Sequence, residues 1–125
     1  MNIKYDVNGE INASEIIKVF DSVGWNKNLS VIKEAFNNSY YILAYYNNQL
    51  VGFARALSDN HYYTGIYDVV VKPEFQRQGI AKKMMEMLVK KFKGTYIFIS
   101  YTDGKRSFYE KCGFIDNNSS MWIPK

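Results

Sequence analysis

The chain has 125 residues, 47% of them apolar, which suits one compact domain over residues 1–125 with a buried core. Sixteen Lys and Arg against 12 Asp and Glu leave a net charge of +4, which favours an anionic ligand without naming one. One cysteine excludes an internal disulfide, one histidine excludes a multi-histidine metal site, and no apolar run reaches membrane length. The N-terminus lacks a signal-peptide core, so a cytoplasmic protein without metal or membrane is expected.

Ile3 to Val7 alternates as a first strand, turned by Asn8-Gly9. Asn12 or Ser14 caps a helix to about Val23, and Gly24 ends it. Trp25 follows in a short connection. A second helix covers roughly Leu29 to Phe36, stopped by Asn37-Asn38-Ser39. Tyr40 to Tyr46 and Gln49 to Leu57 form a hairpin about Asn47-Asn48, where Asn tolerates positive φ.

Ser58-Asp59-Asn60 turns into a strand from Tyr62 or Tyr63 to Val71. Its end, Val69-Val70-Val71, is apolar on both faces, which predicts a central strand covered on both sides. Pro73 ends it. An amphipathic helix runs from Gly79 to about Phe92, with Gly94 after it. Tyr96 to Ser100 is a fifth strand, Thr102-Asp103-Gly104 a loop, and Ser107 to Lys111 a short helix stopped by Gly113. Phe114 begins a last strand, and Met121 to Ile123 closes a hairpin. The elements add up to an α/β domain with a mixed sheet.

The densest chemistry lies in residues 69–82. A strand enters a proline-marked turn, a small-residue loop and a helix start. That order leaves backbone N–H groups unpaired, with the positive end of the helix dipole behind them, which is a site for phosphate. Gly79 and Ala81 let a ligand approach the backbone; Gln76, Arg77 and Gln78 bring donors, and Lys82 and Lys83 bring charge. A plain helix start with a solvated basic face is the alternative. Lys82 is followed by Lys83, so this is no triphosphate P-loop, and the three-glycine dinucleotide fingerprint is missing. The second constellation is Ser107 to Phe114, a tyrosine on a short helix four residues before a stop glycine. Alone, Tyr109 reads first as a packed aromatic.

In this order, the two segments resemble the GCN5-related N-acetyltransferase superfamily. Its acyl-CoA signature, Gln/Arg-x-x-Gly-x-Gly/Ala, is matched by Gln76, Gly79 and Ala81, and its Phe-Tyr-Glu-Lys-x-Gly-Phe element by Phe108 to Phe114. Val23-Gly24-Trp25 is similar to the small bacterial and plastid members. The resemblance implies a mixed α/β (α+β) fold: a mostly antiparallel central sheet of about six to seven strands, about four helices, and a splayed V between the fourth and fifth strands. It implies acetyl-CoA as co-substrate and direct transfer, in a ternary complex, to a primary amine of a small molecule such as an amino acid, polyamine or arylalkylamine.

The resemblance also implies roles. Val69 and Val71, with Val70 between them, would pair backbone groups with the pantetheine arm. Backbone N–H groups of Arg77, Gln78, Gly79, Ile80, Ala81 and Lys82 would bind the pyrophosphate. A backbone N–H at the splayed strand end would steady the oxyanion. Tyr109, with Phe108 beside it, would stand near the thioester sulfur and protonate the departing thiolate. The loop Tyr101 to Arg106 is short and lacks the frequent pantetheine-touching Asn, so its contacts are doubtful and Ser107 would substitute. A coenzyme A thiol titrates near ~8.5 and a free tyrosine near ~10, so full transfer is uphill by roughly 2 kcal/mol. Hydrogen bonding to the developing thiolate is the expected role.

A lysine-like amine at pH 7 is short of its neutral form by roughly 4.6 kcal/mol, an α-amino group by only about 1.4 kcal/mol. The candidate bases are Asp68 on the central strand, Glu34 on the second helix and His61 in a turn, with Asp68 preferred because it adjoins the thioester end. A strand-edge ion pair is the alternative for Asp68, and a water relay the alternative to any side-chain base. Trp25 with Tyr62 or Tyr63 would wall the acceptor pocket; equally, Trp25 plugs the space between the first helices and the sheet. Cys112 reads as core or interface filler. An idle acyl-CoA sensor and a basic nucleic-acid-binding module are the rival functions, and for the enzyme no nucleic acid is expected. A homodimer through the last strands or the acceptor side is also expected.

Overall fold

Among the described residues, period-two apolar patterns make five strands and helical spacing makes four helices. The computed structural model describes residues 1–102, 104–117 and 119–125. In chain order the elements are β1 (Lys4–Val7), α1 (Ala13–Ser22), α2 (Leu29–Asn37), β2 (Tyr40–Tyr46), β3 (Gln49–Ser58), β4 (Tyr63–Val71), a 3-10 turn (Pro73–Phe75), α3 (Ile80–Lys91), β5 (Tyr96–Ile99) and α4 (Arg106–Lys111). The sheet order is β1-β2-β3-β4-β5; the first four strands pair antiparallel, and β5 joins parallel after the α3 crossover.

Local chemistry sets the boundaries. Asn12 Oδ1 accepts from Glu15 N at 3.2 Å and caps α1, and Asn28 Oδ1 does the same for α2 from Ser30 N at 3.0 Å. Asn47 and Asn48 carry φ of 49° and 63°, as a two-residue hairpin turn between β2 and β3 requires.

The sheet is covered on both faces. Ile80, Met84, Met85 and Leu88 of α3 pack on Ile42, Ala44, Ala54, Ala56 and Ile66. On the opposite face, Ile16, Val19 and Phe20 of α1 and Ile32 and Phe36 of α2 cover Tyr41, Leu43, Phe53 and Val70. Val70 and Val71 fall in different clusters, so the end of β4 is buried from both sides.

The expected sheet of six to seven strands is corrected to five. Among the described residues, no strand forms after β5. Asp116 Oδ2 accepts from Tyr101 Oη at 2.8 Å and lies 3.5 Å from Arg106 Nη1, and the Phe114 ring sits 6.0 Å from that of Tyr109. These contacts hold residues 114–116 to α4. The stretch Asn117-Asn118-Ser119-Ser120 has little β propensity, and beyond it Met121 and Ile123 are at least 95% exposed. Asp103, in the expected loop, lies outside the described residues. No described helix is long and apolar enough to cross a membrane.

Candidate active site

β4 and β5 pair only from Tyr63–Tyr96 to Ile66–Ile99, and past that point β4 runs on without β5. The V opens there. It holds a cleft of about 570 Å³ lined by Val69, Val70 and Val71 of β4, by Phe75 to Arg77 and Gly79 to Lys82 at the start of α3, by Thr102, Gly104, Lys105, Phe108 and Tyr109, and by Val23 and Trp25.

The start of α3 faces this cleft uncapped. Gly79 takes φ of 86° and Arg77 φ of 62°, turning the chain into the helix, and no side chain caps the first turn. The first backbone bond of the helix runs from Lys83 N to Gly79 O at 3.0 Å. The N–H groups of Ile80, Ala81 and Lys82 therefore precede the helical ladder. Nothing lies within 4 Å of where a Gly79 side chain would begin. Donors, a dipole end and open space together fit a diphosphate.

Gln76 sits in the cleft wall, yet its side chain serves the protein. Its Nε2 donates to the Val71 carbonyl at 2.9 Å, tying the loop to the strand. Gln78 Nε2 reaches Glu74 O at 3.4 Å on the exposed surface, away from the cleft lining.

Tyr109 packs at 5.0 Å from Phe108 and 6.0 Å from Phe114. Among the described residues its hydroxyl has no hydrogen-bond partner. Burial, and then neighbouring Cys112, pushes its phenol above the ordinary tyrosine value. It therefore stays protonated at neutral pH as a donor. Burial likewise raises the Cys112 thiol, against the pull of Lys82.

Several expected site residues lie elsewhere. Asp68 is outside the cleft lining, and its Oδ2 accepts from Arg55 Nε at 2.9 Å and Nη2 at 2.7 Å. This is the strand-edge ion pair, with two guanidinium nitrogens on one carboxylate oxygen. Tyr62 and Tyr63 stand at the other end of β4; Tyr63 stacks on Tyr96 at 5.9 Å. Six residues of strand separate Tyr63 from Val69, or about 20 Å. Ser107, Glu34 and His61 do not line the cleft, whereas Thr102, Gly104 and Lys105 of the doubted loop do. Trp25 stacks on Phe20 at 6.1 Å and lines the cleft.

The profile of the acetyltransferase (GNAT) family matches residues 12–114. The chain belongs to that GNAT family. As a GNAT member it is an acyl-CoA-dependent acetyltransferase. It is 36% identical to the uncharacterized N-acetyltransferase ycf52 of Pyropia yezoensis, over 94% of this chain and 75% of that one. It is 28% identical to GCN5-related N-acetyltransferase 2, chloroplastic, of Arabidopsis thaliana, over 98% of this chain and 59% of the relative. Among solved structures, a GNAT-family acetyltransferase of Streptococcus pneumoniae TIGR4 superposes with a TM-score of 0.85 at 22% identity, covering 99% of each chain. That likeness carries the fold.

Proposed function

We propose that this GNAT protein transfers the acetyl group of acetyl-CoA to a primary amine of a small molecule, directly and in a ternary complex. The observation that carries the reading is the uncapped start of α3, opening on a cleft that Tyr109 also lines. Backbone N–H groups of Arg77 to Lys82 bind the diphosphate. Val69 and Val71 offer backbone groups that β5 does not use, to be paired by the extended pantetheine arm. Bound acetyl-CoA supplies an activated thioester. Tyr109, held neutral by burial, hydrogen-bonds the sulfur as charge develops there, and a backbone N–H at the end of β4 faces the acyl oxygen.

No carboxylate stands among the described residues lining the cleft, while Arg77, Lys82 and Lys105 make it basic. Water rather than a side chain takes the amine proton. An acceptor of the α-amino kind, short of its neutral form by only about 1.4 kcal/mol at pH 7, suits such a site better than a lysine-like amine at roughly 4.6 kcal/mol. Trp25 walls the acceptor side.

The test is thiol release from acetyl-CoA across a panel of amino acids, polyamines, arylalkylamines and aminoglycosides. The reading expects release with at least one amine, with rates higher for amines of lower pKa at equal binding. Acetyl-CoA binding without release across the panel would leave an acyl-CoA sensor instead.

A further inference from the structure

We infer that Arg55 and Asp68 form a clamp that sets the backbone of the cleft strand, and that they are positioning residues for the reaction. The inference rests on the acyl-transfer reading above. It begins with a register shift. Phe53 of β3 pairs with Val70 of β4, and Arg55 pairs with Tyr67. Ala54 alone therefore opposes two residues, Asp68 and Val69, which defines a β-bulge. Asp68 carries φ of 59°, the left-handed region that Asp tolerates better than most residues.

The bulge exchanges the faces of β4. Before it, Ile66 packs in the α3 cluster. After it, Val69 and Val71 pack there and Val70 turns to α1 and α2. Without the extra residue, alternation would send Val70 to α3 and Val69 and Val71 to the opposite side. The bulge also sits one residue beyond Ile66, the last β4 residue paired with β5. It lies where the V begins, and it decides which way the backbone groups of Val69 to Val71 point into the cleft.

A left-handed residue in mid-strand persists only where its surroundings hold it. Here the holding contacts come from three elements. Arg55 on β3 grips Asp68 through Nε and Nη2, and its Nη1 donates to Ser39 Oγ at 3.0 Å beyond α2. Ser39 Oγ in turn donates to Ala35 O at 2.6 Å. The guanidinium lies 5.9 Å from the centre of the Phe36 ring. Both charged side chains are about five-sixths shielded, at 17% and 16% exposure, so solvent competes little for the pair. The clamp ties the bulge to the end of the helix that covers it.

The experiment compares Asp68→Asn, Arg55→Met and the double variant with wild type. Asn keeps the tolerance for positive φ, Met keeps a stem over Phe36, and the double variant leaves no orphaned charge. Amide hydrogen exchange at Val70, which pairs with Phe53 of β3, is the first readout, independent of turnover. Exchange is expected to speed up about tenfold in each single variant, with the double variant no worse than either, since paired residues act as a unit. The second readout is kinetic: kcat lower by about tenfold, KM for acetyl-CoA within about threefold, and an unchanged pH–rate profile, since misplacement rather than proton transfer is at fault. Arg55→Lys should restore part of kcat. Unchanged exchange at Val70 in all variants would overturn the clamp. So would a pH–rate profile of Asp68→Asn that loses its acid limb, because Asp68 would then be the base. A wild type that turns over no amine would defeat the acyl-transfer reading, and exchange alone would then decide the clamp.

Discussion

Gln76 Nε2 donates to the Val71 carbonyl at 2.9 Å, so this glutamine fastens the loop before α3 to the strand. The two halves of the cleft wall, β4 and the start of α3, are set relative to each other by this bond. Removing it should cost about 1 kcal/mol of the order in that loop. Gln76→Ala is expected to weaken acetyl-CoA binding by roughly fivefold with kcat nearly unchanged. Calorimetric titration beside steady-state kinetics checks this split.

Tyr109→Phe removes one hydroxyl and keeps the ring packed against Phe108 and Phe114. Turnover is expected to fall by roughly a hundredfold, with acetyl-CoA affinity within about threefold. Because burial raises the phenol, wild type should keep the donor through neutral pH and lose it only above the ordinary value of 10.0. A basic limb near neutrality that vanished in Tyr109→Phe would contradict this.

Gly79→Ala meets no neighbour, since nothing lies within 4 Å of the added carbon. Its cost is the backbone alone: at φ of 86° a side chain is strained, by roughly 1–2 kcal/mol. A drop in melting temperature of several degrees is expected, on the order of 4–8 °C. Acetyl-CoA affinity should fall with it as the first turn shifts to relieve the strain. Thermal melts with and without acetyl-CoA separate the two effects.

Alkaline pH should unfold the chain through its tyrosines. Burial raises Tyr5, Tyr41 and Tyr45 above 10.0, and Tyr109 follows the same cause. The native state then holds those protons more tightly than the unfolded chain. The stability they contribute is complete below pH 10.0 and disappears as pH rises through the higher native values. Urea midpoints followed against phenolate absorbance test the sign; a midpoint that rose with pH in that window would refute it.

Much of this was legible in the sequence because local chemistry dictates it. Asn47-Asn48, Gly79 and the Val69–Val71 run each name a conformation or a burial state by residue type alone. The Asp68 bulge was not legible: one added residue in a strand leaves no compositional mark, and its partner Arg55 lies 13 positions away. Nor was the distance of Tyr62 and Tyr63 from Val69, since strand length separates residues that share an element. The last strands failed because alternation from Phe114 onward competes with the contacts that Asp116 makes to Tyr101 and Arg106.

The proposed function depends on the start of α3 binding the diphosphate of acetyl-CoA. Parallel calorimetric titrations with acetyl-CoA and with S-acetylpantetheine, which carries the same thioester arm without the diphosphate, test it most directly. The account predicts tight binding of acetyl-CoA and a loss of at least about tenfold for the truncated compound, with Gly79→Ala narrowing the gap. Equal affinity for the two, or no binding of acetyl-CoA at all, would contradict it.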